Sequence, residues 1–152
     1  MTKTKIPLIS FGSIPLLCID NKFLNLYKKF STCLSHFLHI PIQSGSNKIL
    51  KLMNRPYDNL KIKKLIKNCK LKIKNLSLGT DIIVAFPGET ESDFKETLSL
   101  CKNIGFQKIH TFRFSPRDYT PAQLLFKKAP QISKSDVSTR AELIRQLCIH
   151  QT

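Results

Sequence analysis

The sequence lacks any closely spaced pair of cysteines. Its five cysteines lie at least 15 residues apart, at Cys18, Cys33, Cys69, Cys101 and Cys148. Zinc knuckles, CxxC redox sites and iron–sulfur loops need ligands only a few residues apart, so none of them is expected within the chain. The odd number of cysteines and the lack of a recognisable signal peptide favour reduced thiols and a cytoplasmic location.

Long apolar runs are missing too. The longest candidate, residues 7–19, contains serine and glycine and is shorter than the roughly 18–20 apolar residues that a membrane-spanning helix needs. No membrane partner is therefore expected. Hydrophobic residues still make up 41% of the 152 residues, which is enough for the core of one globular domain.

Acidic residues are scarce. The chain has 25 Lys and Arg but only 10 Asp and Glu, which gives a formal charge of +15. Residues 1–80 carry +13 of this charge and residues 81–152 carry +2. A basic surface of this size attracts polyanions, of which nucleic acid is the first candidate. A general compositional preference for lysine explains the same numbers, so the charge leaves both interpretations open.

Hydrophobic periodicity predicts alternating strands and helices. Strands or strand remnants are expected at 6–14, 36–42, 80–86 and 109–114. Helices are expected at 21–30, at 47–54, after Asp58, from Thr90 to Gly105 and after Ser135. Residues 115–134 are expected to form a loop. Spacing of roughly 30 residues between strands predicts an α/β fold with βαβ units and a parallel sheet. Such sheets place their chemistry at the carboxyl ends of the strands.

Polar residues at one of these strand ends are the first site candidates. Gln43, Ser44 and Ser46 surround Gly45, which predicts an amide and hydroxyls at a strand tip and a glycine that lets a ligand approach the backbone. The start of the following helix favours an anion. A polar turn with a helix cap at Ser46 explains the same residues.

Asp81 is the most informative single residue, because a carboxylate inside an apolar strand is unusual unless it is paired. A ligand contact and an ion pair with a nearby lysine both remain open. His39 lies in another apolar run, which favours a hydrogen-bonded core histidine over a ligand. Lys63 and Lys67 lie off the apolar stripe of a basic helix. Such a face is more often solvated, and contact with RNA is the alternative.

Three segments together carry a family resemblance. They are HIPIQSGSNKILKLMNR at 39–55, TDIIVAFPGETE at 80–91 and FRFSPR with TPA at 112–122. Their order and spacing resemble the radical S-adenosylmethionine (SAM) core of the tRNA methylthiotransferases over roughly residues 8–150. The resemblance implies a partial TIM-like (βα) barrel, which comprises about the last three to four βα units of the complete radical SAM barrel.

The same resemblance implies an activity and its cofactors. Members of this family add a methylthio group to C2 of a modified adenosine beside the tRNA anticodon, with SAM and a [4Fe–4S] cluster. The SAM contacts implied by position are Gln43, Ser44, Arg55 and Asp81. The expected contacts to the tRNA anticodon stem-loop are Lys63, Lys67 and Arg117.

The sequence also departs from the family pattern. It contains no CxxxCxxC loop for the cluster, and neither the N-terminal cluster-binding domain nor the C-terminal RNA-binding β-barrel is recognisable in residues 1–152. Ala85 stands where the family commonly has glycine, and Asp118-Tyr119 where Pro-Gly is usual. We therefore expect the chain to be inactive by itself. A strand edge near residues 6–14 is expected to pair with a separate N-terminal fragment or with a second copy.

Two functions remain open from the sequence. The first is part of a methylthiotransferase, for which residues 105–110 (GFQKIH) favour threonylcarbamoyladenosine over isopentenyladenosine as substrate. The second is a non-catalytic remnant or a basic tRNA-binding module. It predicts salt-sensitive RNA binding without SAM binding.

Overall fold

Three parallel strands form the sheet at the centre of the fold. Strands β1 (Phe37–His39), β2 (Ser77–Val84) and β3 (Lys108–Arg113) lie in the order β1-β2-β3. The computed structural model describes residues 8–148. Before the first helix, the chain pairs in parallel with the segment at and before β1. Two isolated β-bridges, Ile9 to Leu34 and Ser13 to His39, form this pairing. The strand predicted at 6–14 is thus a remnant, and residues 6 and 7 lie outside the described part.

Six α-helices accompany the sheet within residues 8–148, and a 3₁₀ turn at Leu16–Cys18 precedes them. They are α1 (Asn21–Lys29), α2 (Asn47–Leu52), α3 (Asn59–Lys72), α4 (Glu91–Ile104), α5 (Pro121–Lys128) and α6 (Lys134–Arg145). Local signals explain most of their ends. Asp58 caps α3, and Thr90 and Asp93 form a capping box at the start of α4. Gly105 ends α4 with φ 68°, in the left-handed region that suits glycine.

Two sequence predictions were wrong near the carboxyl end. The expected loop at 115–134 contains α5, whose N-terminus combines a Thr120 cap with Pro121 in the first turn. Phe126 of this helix packs against Phe114 with ring centroids 5.8 Å apart, a tertiary contact that sequence periodicity does not show. Helix α6 is capped by Ser133 rather than by Ser135, because the Ser133 side chain accepts the backbone N–H of Asp136.

The two faces of the sheet differ in exposure. On β2, the alternate residues Leu78, Ile82 and Val84 are at most 1% exposed and face the helix layer. On the opposite face Asp81 is only partly buried, and Phe112 of β3 is 52% exposed. Three strands and a remnant cover only part of a barrel that needs eight strands to close, so this inner face is open.

The predicted α/β class with a parallel sheet is confirmed. The sheet presents three strands with their following helices, and the remnant with α1 supplies a fourth, reduced unit. None of the helices within residues 8–148 has both the length and the hydrophobicity needed to cross a bilayer.

Candidate functional site

Three polar side chains from neighbouring strands meet on the open face of the sheet. Asp81 is paired in register with His110, and His39 is paired with Gly79, two residues before Asp81. The Asp81 Oδ1 atom lies 2.8 Å from His39 Nε2 and 3.2 Å from His110 Nδ1. Asp81 is therefore paired, but with histidines rather than with a lysine. His39 is 7% exposed and hydrogen-bonded to Asp81, as expected of a buried histidine.

Gly79 makes room for this arrangement. A Cβ atom at this position would lie 2.6 Å from the Phe37 ring and 2.7 Å from His39 Nδ1. Those separations are shorter than van der Waals contact, so a larger residue would displace the His39 ring. Neither Gly79 nor His110 could be identified as a site residue from the sequence, because their role depends on the register between strands.

A cleft of about 520 Å³ lies beside this cluster, near the carboxyl ends of β2 and β3. Gln43, Asp81 and Arg117 line it together with aromatic side chains that include Phe112. The structure thus brings three of the expected site residues to one place. Gln43 is held at the strand tip with φ 67°, since its N–H donates to the Asp81 carbonyl and its carbonyl accepts the N–H of Ile83.

Ser44 and Gly45 pack against α4. The Ser44 side chain is fully buried, and its hydroxyl bonds the Thr97 hydroxyl and accepts the N–H of Ser46. Its side chain is therefore not part of the cleft. A Cβ at Gly45 would lie 2.7 Å from the Thr97 Cα, so this glycine permits close packing of the loop against α4 rather than approach of a ligand.

Ser46 precedes α2 but does not cap it with its side chain. Its hydroxyl donates instead to Asp93 Oδ1 at 2.7 Å. Lys48 Nζ donates to Asp93 Oδ2 at 2.7 Å, so the start of α2 is fastened to the start of α4. The expected anion site at this helix start therefore faces a carboxylate of the chain itself.

The remaining expected site residues lie on other surfaces. Arg55 is exposed and lines a separate groove with Lys51, Tyr57 and Lys64. The expected RNA contacts Lys63 and Lys67 are exposed on α3, and Lys63 lines a third groove toward α4. Among the expected RNA contacts only Arg117 shares the cleft with Gln43 and Asp81.

A buried ion pair holds the loop at the mouth of the site. Glu89 Oε1 accepts the Ala85 N–H at 3.0 Å and an Arg140 N–H at 2.6 Å. Arg140 also contacts Glu91 at 3.1 Å, and its guanidinium lies 5.1 Å from the centre of the Phe94 ring. Burial raises the pKa of Glu89, although the Ala85 N–H and Arg140 act against this shift. The Phe86–Thr90 turn is thus held in place by contacts within the chain.

The cysteines do not form a metal site. Cys69 and Cys101 are buried, and burial raises their pKa to about 11 and about 12 respectively, so both stay protonated thiols. Within residues 8–148, the one group of three potential metal ligands that lie close together is His39, Asp81 and His110. The residues present do not fit a [4Fe–4S] cluster, which needs thiolate ligands.

Comparison with known proteins gives these features a family context. Residues 11–101 match the model of the Radical SAM superfamily. The tRNA-2-methylthio-N(6)-dimethylallyladenosine synthase of Bacillus subtilis is 39% identical over 136 residues, which are 90% of this chain and 26% of that protein. The synthase of the same name from Clostridium perfringens is 48% identical over 99 residues, 65% of this chain and 22% of that protein. The chain thus spans about a quarter of the length of these relatives.

A solved structure shares the fold. Coproporphyrinogen III oxidase from Escherichia coli, described as a radical SAM enzyme, superposes with a TM-score of 0.63 over 86% of this chain and 29% of its own. The sequence identity is 18%, so this likeness concerns the fold alone. It confirms that the chain forms part of a TIM-like barrel.

Radical SAM enzymes use SAM together with a [4Fe–4S] cluster, and the homologues of this chain are tRNA methylthiotransferases. The family model covers more than half of the 152 residues. On these grounds the chain belongs to the radical SAM superfamily.

Proposed function

We propose that this chain supplies the SAM-binding part of a tRNA methylthiotransferase. The observation that carries the proposal is the cleft in which Gln43, Asp81 and Arg117 meet at the carboxyl ends of parallel strands. Its volume of about 520 Å³ suits a small-molecule ligand. The name shared by the relatives points to the same activity.

The groups in the cleft match the chemistry of SAM. Asp81 Oδ1 is bonded to the two histidines, whereas Oδ2 has no hydrogen-bond partner within residues 8–148 and suits ribose hydroxyls. Gln43 offers an amide, and Phe112 offers an aromatic face for the adenine. Arg55 lies in a separate groove, so our proposal that it contacts the methionine carboxylate rests on its position in the sequence motif and on the chemistry of its guanidinium.

The cluster ligands must come from outside these 152 residues. The sequence has no CxxxCxxC loop, and its five cysteines are all free and dispersed. We therefore propose that the chain by itself does not cleave SAM. Free thiols are also consistent with a reducing, cytoplasmic setting.

We propose dimethylallyladenosine, which is the isopentenyladenosine named above, as the modified nucleoside. The names of the relatives support this substrate, whereas the preference for threonylcarbamoyladenosine rests on residues 105–110 alone. Arg117 lines the SAM cleft and is our candidate for a contact to the nucleoside or to a phosphate of the anticodon stem-loop.

The open inner face is proposed to be covered by the rest of a barrel, supplied by an N-terminal fragment or by a second copy. The exposed apolar residues Leu8, Ile9 and Phe112 lie on this face or at its edge. Light scattering across a concentration series distinguishes the two partners. A dimer fraction that grows with concentration supports self-association, and a monomer at all concentrations rules out a second copy as the covering partner.

Calorimetric titration with SAM tests the central proposal. The matched control is Asp118→Ala, which removes an exposed carboxylate that does not line the cleft. We expect Asp81→Ala and Gln43→Ala to weaken SAM binding by about tenfold or more, since a hydrogen bond to a charged group contributes about 1.5–3 kcal/mol. Asp118→Ala should bind like the unaltered chain. No SAM binding, or binding unchanged in both cleft variants, would contradict the proposal.

A basic RNA-binding module is the second candidate function. The observation that favours it is the charge of +13 on residues 1–80, including the exposed Lys63 and Lys67 of α3. It predicts that an anticodon stem-loop binds with an affinity that falls steeply with salt, and that Lys63→Ser/Lys67→Ser reduces this salt dependence. Such binding in a chain that does not bind SAM would replace the first candidate by the second.

A further inference from the structure

We propose that His39, Asp81 and His110 form a binding site for a divalent transition-metal ion such as Zn²⁺. The site is separate from the iron–sulfur cluster of the superfamily, because it contains no cysteine and lies on three adjacent strands of this chain. Two imidazoles and one carboxylate are a ligand set that Zn²⁺ and related ions bind readily.

The distances among the ligand atoms suit one ion. The two imidazole nitrogens and the carboxylate oxygen all lie within 4.8 Å of one another. Two ligands about 2.1 Å from a tetrahedral ion are about 3.4 Å apart. The observed separations from Asp81 Oδ1 are 2.8 Å to His39 and 3.2 Å to His110. Each of these two separations would need to grow by about 0.6 Å or less to admit the ion, while the separation between the two imidazole nitrogens is at most 4.8 Å.

The backbone holds the ligands in place before any ion binds. Asp81 and His110 are paired in a six-residue parallel ladder between β2 and β3, so their Cα positions are fixed by main-chain hydrogen bonds. The His39 ring is 7% exposed and packs in the space left by Gly79. Preorganised ligands of this kind bind a metal without a large cost in ordering.

One side of the cluster remains accessible. The His110 side chain is 45% exposed and lies on the open face of the sheet. An ion held by three protein ligands could therefore take water or another small ligand in its fourth position, as accessible zinc sites do. Asp81 Oδ2 makes no hydrogen bond within residues 8–148. The metal proposal thus does not depend on whether SAM binds.

Zn²⁺ titration of the full chain in the absence of SAM, after removal of bound metal by a chelator, tests the site. We expect one ion to bind per chain. His110→Ala and Asp81→Asn should each weaken Zn²⁺ binding by at least about tenfold. This is the lower end of the loss in metal affinity that substitutions around metal sites cause. His110 is exposed, so its substitution spares the core.

His36→Ala is the matched control. His36 is exposed and lies beside β1, with its ring 3.2 Å from the Ser31 carbonyl and outside the cluster. This variant should bind Zn²⁺ like the unaltered chain. Co²⁺ as a spectroscopic probe separates imidazole and carboxylate ligands from the free thiols, because thiolate ligation adds an intense charge-transfer band.

Three results would overturn the proposal: no Zn²⁺ binding by the unaltered chain, equal affinity in the cluster variants and in His36→Ala, or a Co²⁺ spectrum dominated by thiolate. In each case the three residues form only a hydrogen-bonded group around Asp81. Loss of SAM binding in the separate titration would leave the metal result unaffected, so the two proposals fail independently.

Discussion

Asp93→Asn is the substitution with the best-defined expected effect on stability. Asp93 is 5% exposed and joins the start of α2 to the start of α4. Its carboxylate accepts four hydrogen bonds of 2.6–2.8 Å, from Ser46, from Lys48 and from the amide and hydroxyl of Thr90. Asparagine keeps the shape of the side chain but loses its charge and one acceptor oxygen.

The structure sets the size of the expected loss. A hydrogen bond to a charged group contributes about 1.5–3 kcal/mol, and breaking a buried pair costs about 3–5 kcal/mol. The Lys48 side chain is 51% exposed, so solvent weakens the contribution of its ion pair with Asp93 to stability. Asparagine also retains one acceptor. We therefore expect the free energy of unfolding at pH 7 to fall by about 3 kcal/mol, at the lower end of that range.

The effect should depend on pH. Burial alone would raise the pKa of Asp93, but hydrogen bonds from Lys48, Thr90 and Ser46 outweigh it and hold the pKa well below its usual range. A lowered pKa in the folded state stabilises the fold above the unfolded value of about 3.9. This stabilisation is lost by about 1.4 kcal/mol per pH unit as the pH falls below that value.

Urea denaturation followed by circular dichroism at pH 7 and pH 3 measures both effects. Glu96→Gln is the control, because it makes the same charge change at an exposed position of the same helix. The difference between the unaltered chain and Asp93→Asn should shrink by about 1 kcal/mol between these pH values. A loss no larger than that of Glu96→Gln, or a difference that does not change with pH, would refute the reasoning.

Two further substitutions test the loop at the site. Ala85 has φ 59°, a conformation that glycine adopts with less strain than alanine. Ala85→Gly should therefore raise the free energy of unfolding by about 1 kcal/mol, measured by urea denaturation. The control is Ala141→Gly in the buried face of α6, which should lower the free energy of unfolding. Arg140→Ala should lower it by about 3 kcal/mol, because Glu89 then stays buried without its partner. Arg145→Ala removes only an exposed pair and should change little; equal effects at positions 140 and 145 would contradict the role given to the buried pair.

Most secondary structure could be predicted because its signals are local. The Thr90–Asp93 capping box and the Gly105 stop act within a few residues, so they are readable from the chain itself. The apolar run around Asp81 likewise identified a central strand. The α5 helix was missed because its packing depends on Phe126 meeting Phe114 from a different segment.

The sequence by itself determined the superfamily and the alternation of strands and helices, and it predicted Gln43 and Asp81 as site candidates. Only the tertiary structure decided what surrounds them. Strand register places His110 beside Asp81, and the missing side chain of Gly79 admits the His39 ring. Both are contacts between residues distant in the chain. Periodicity records which face a residue occupies, but the neighbours it meets there depend on how the strands are aligned.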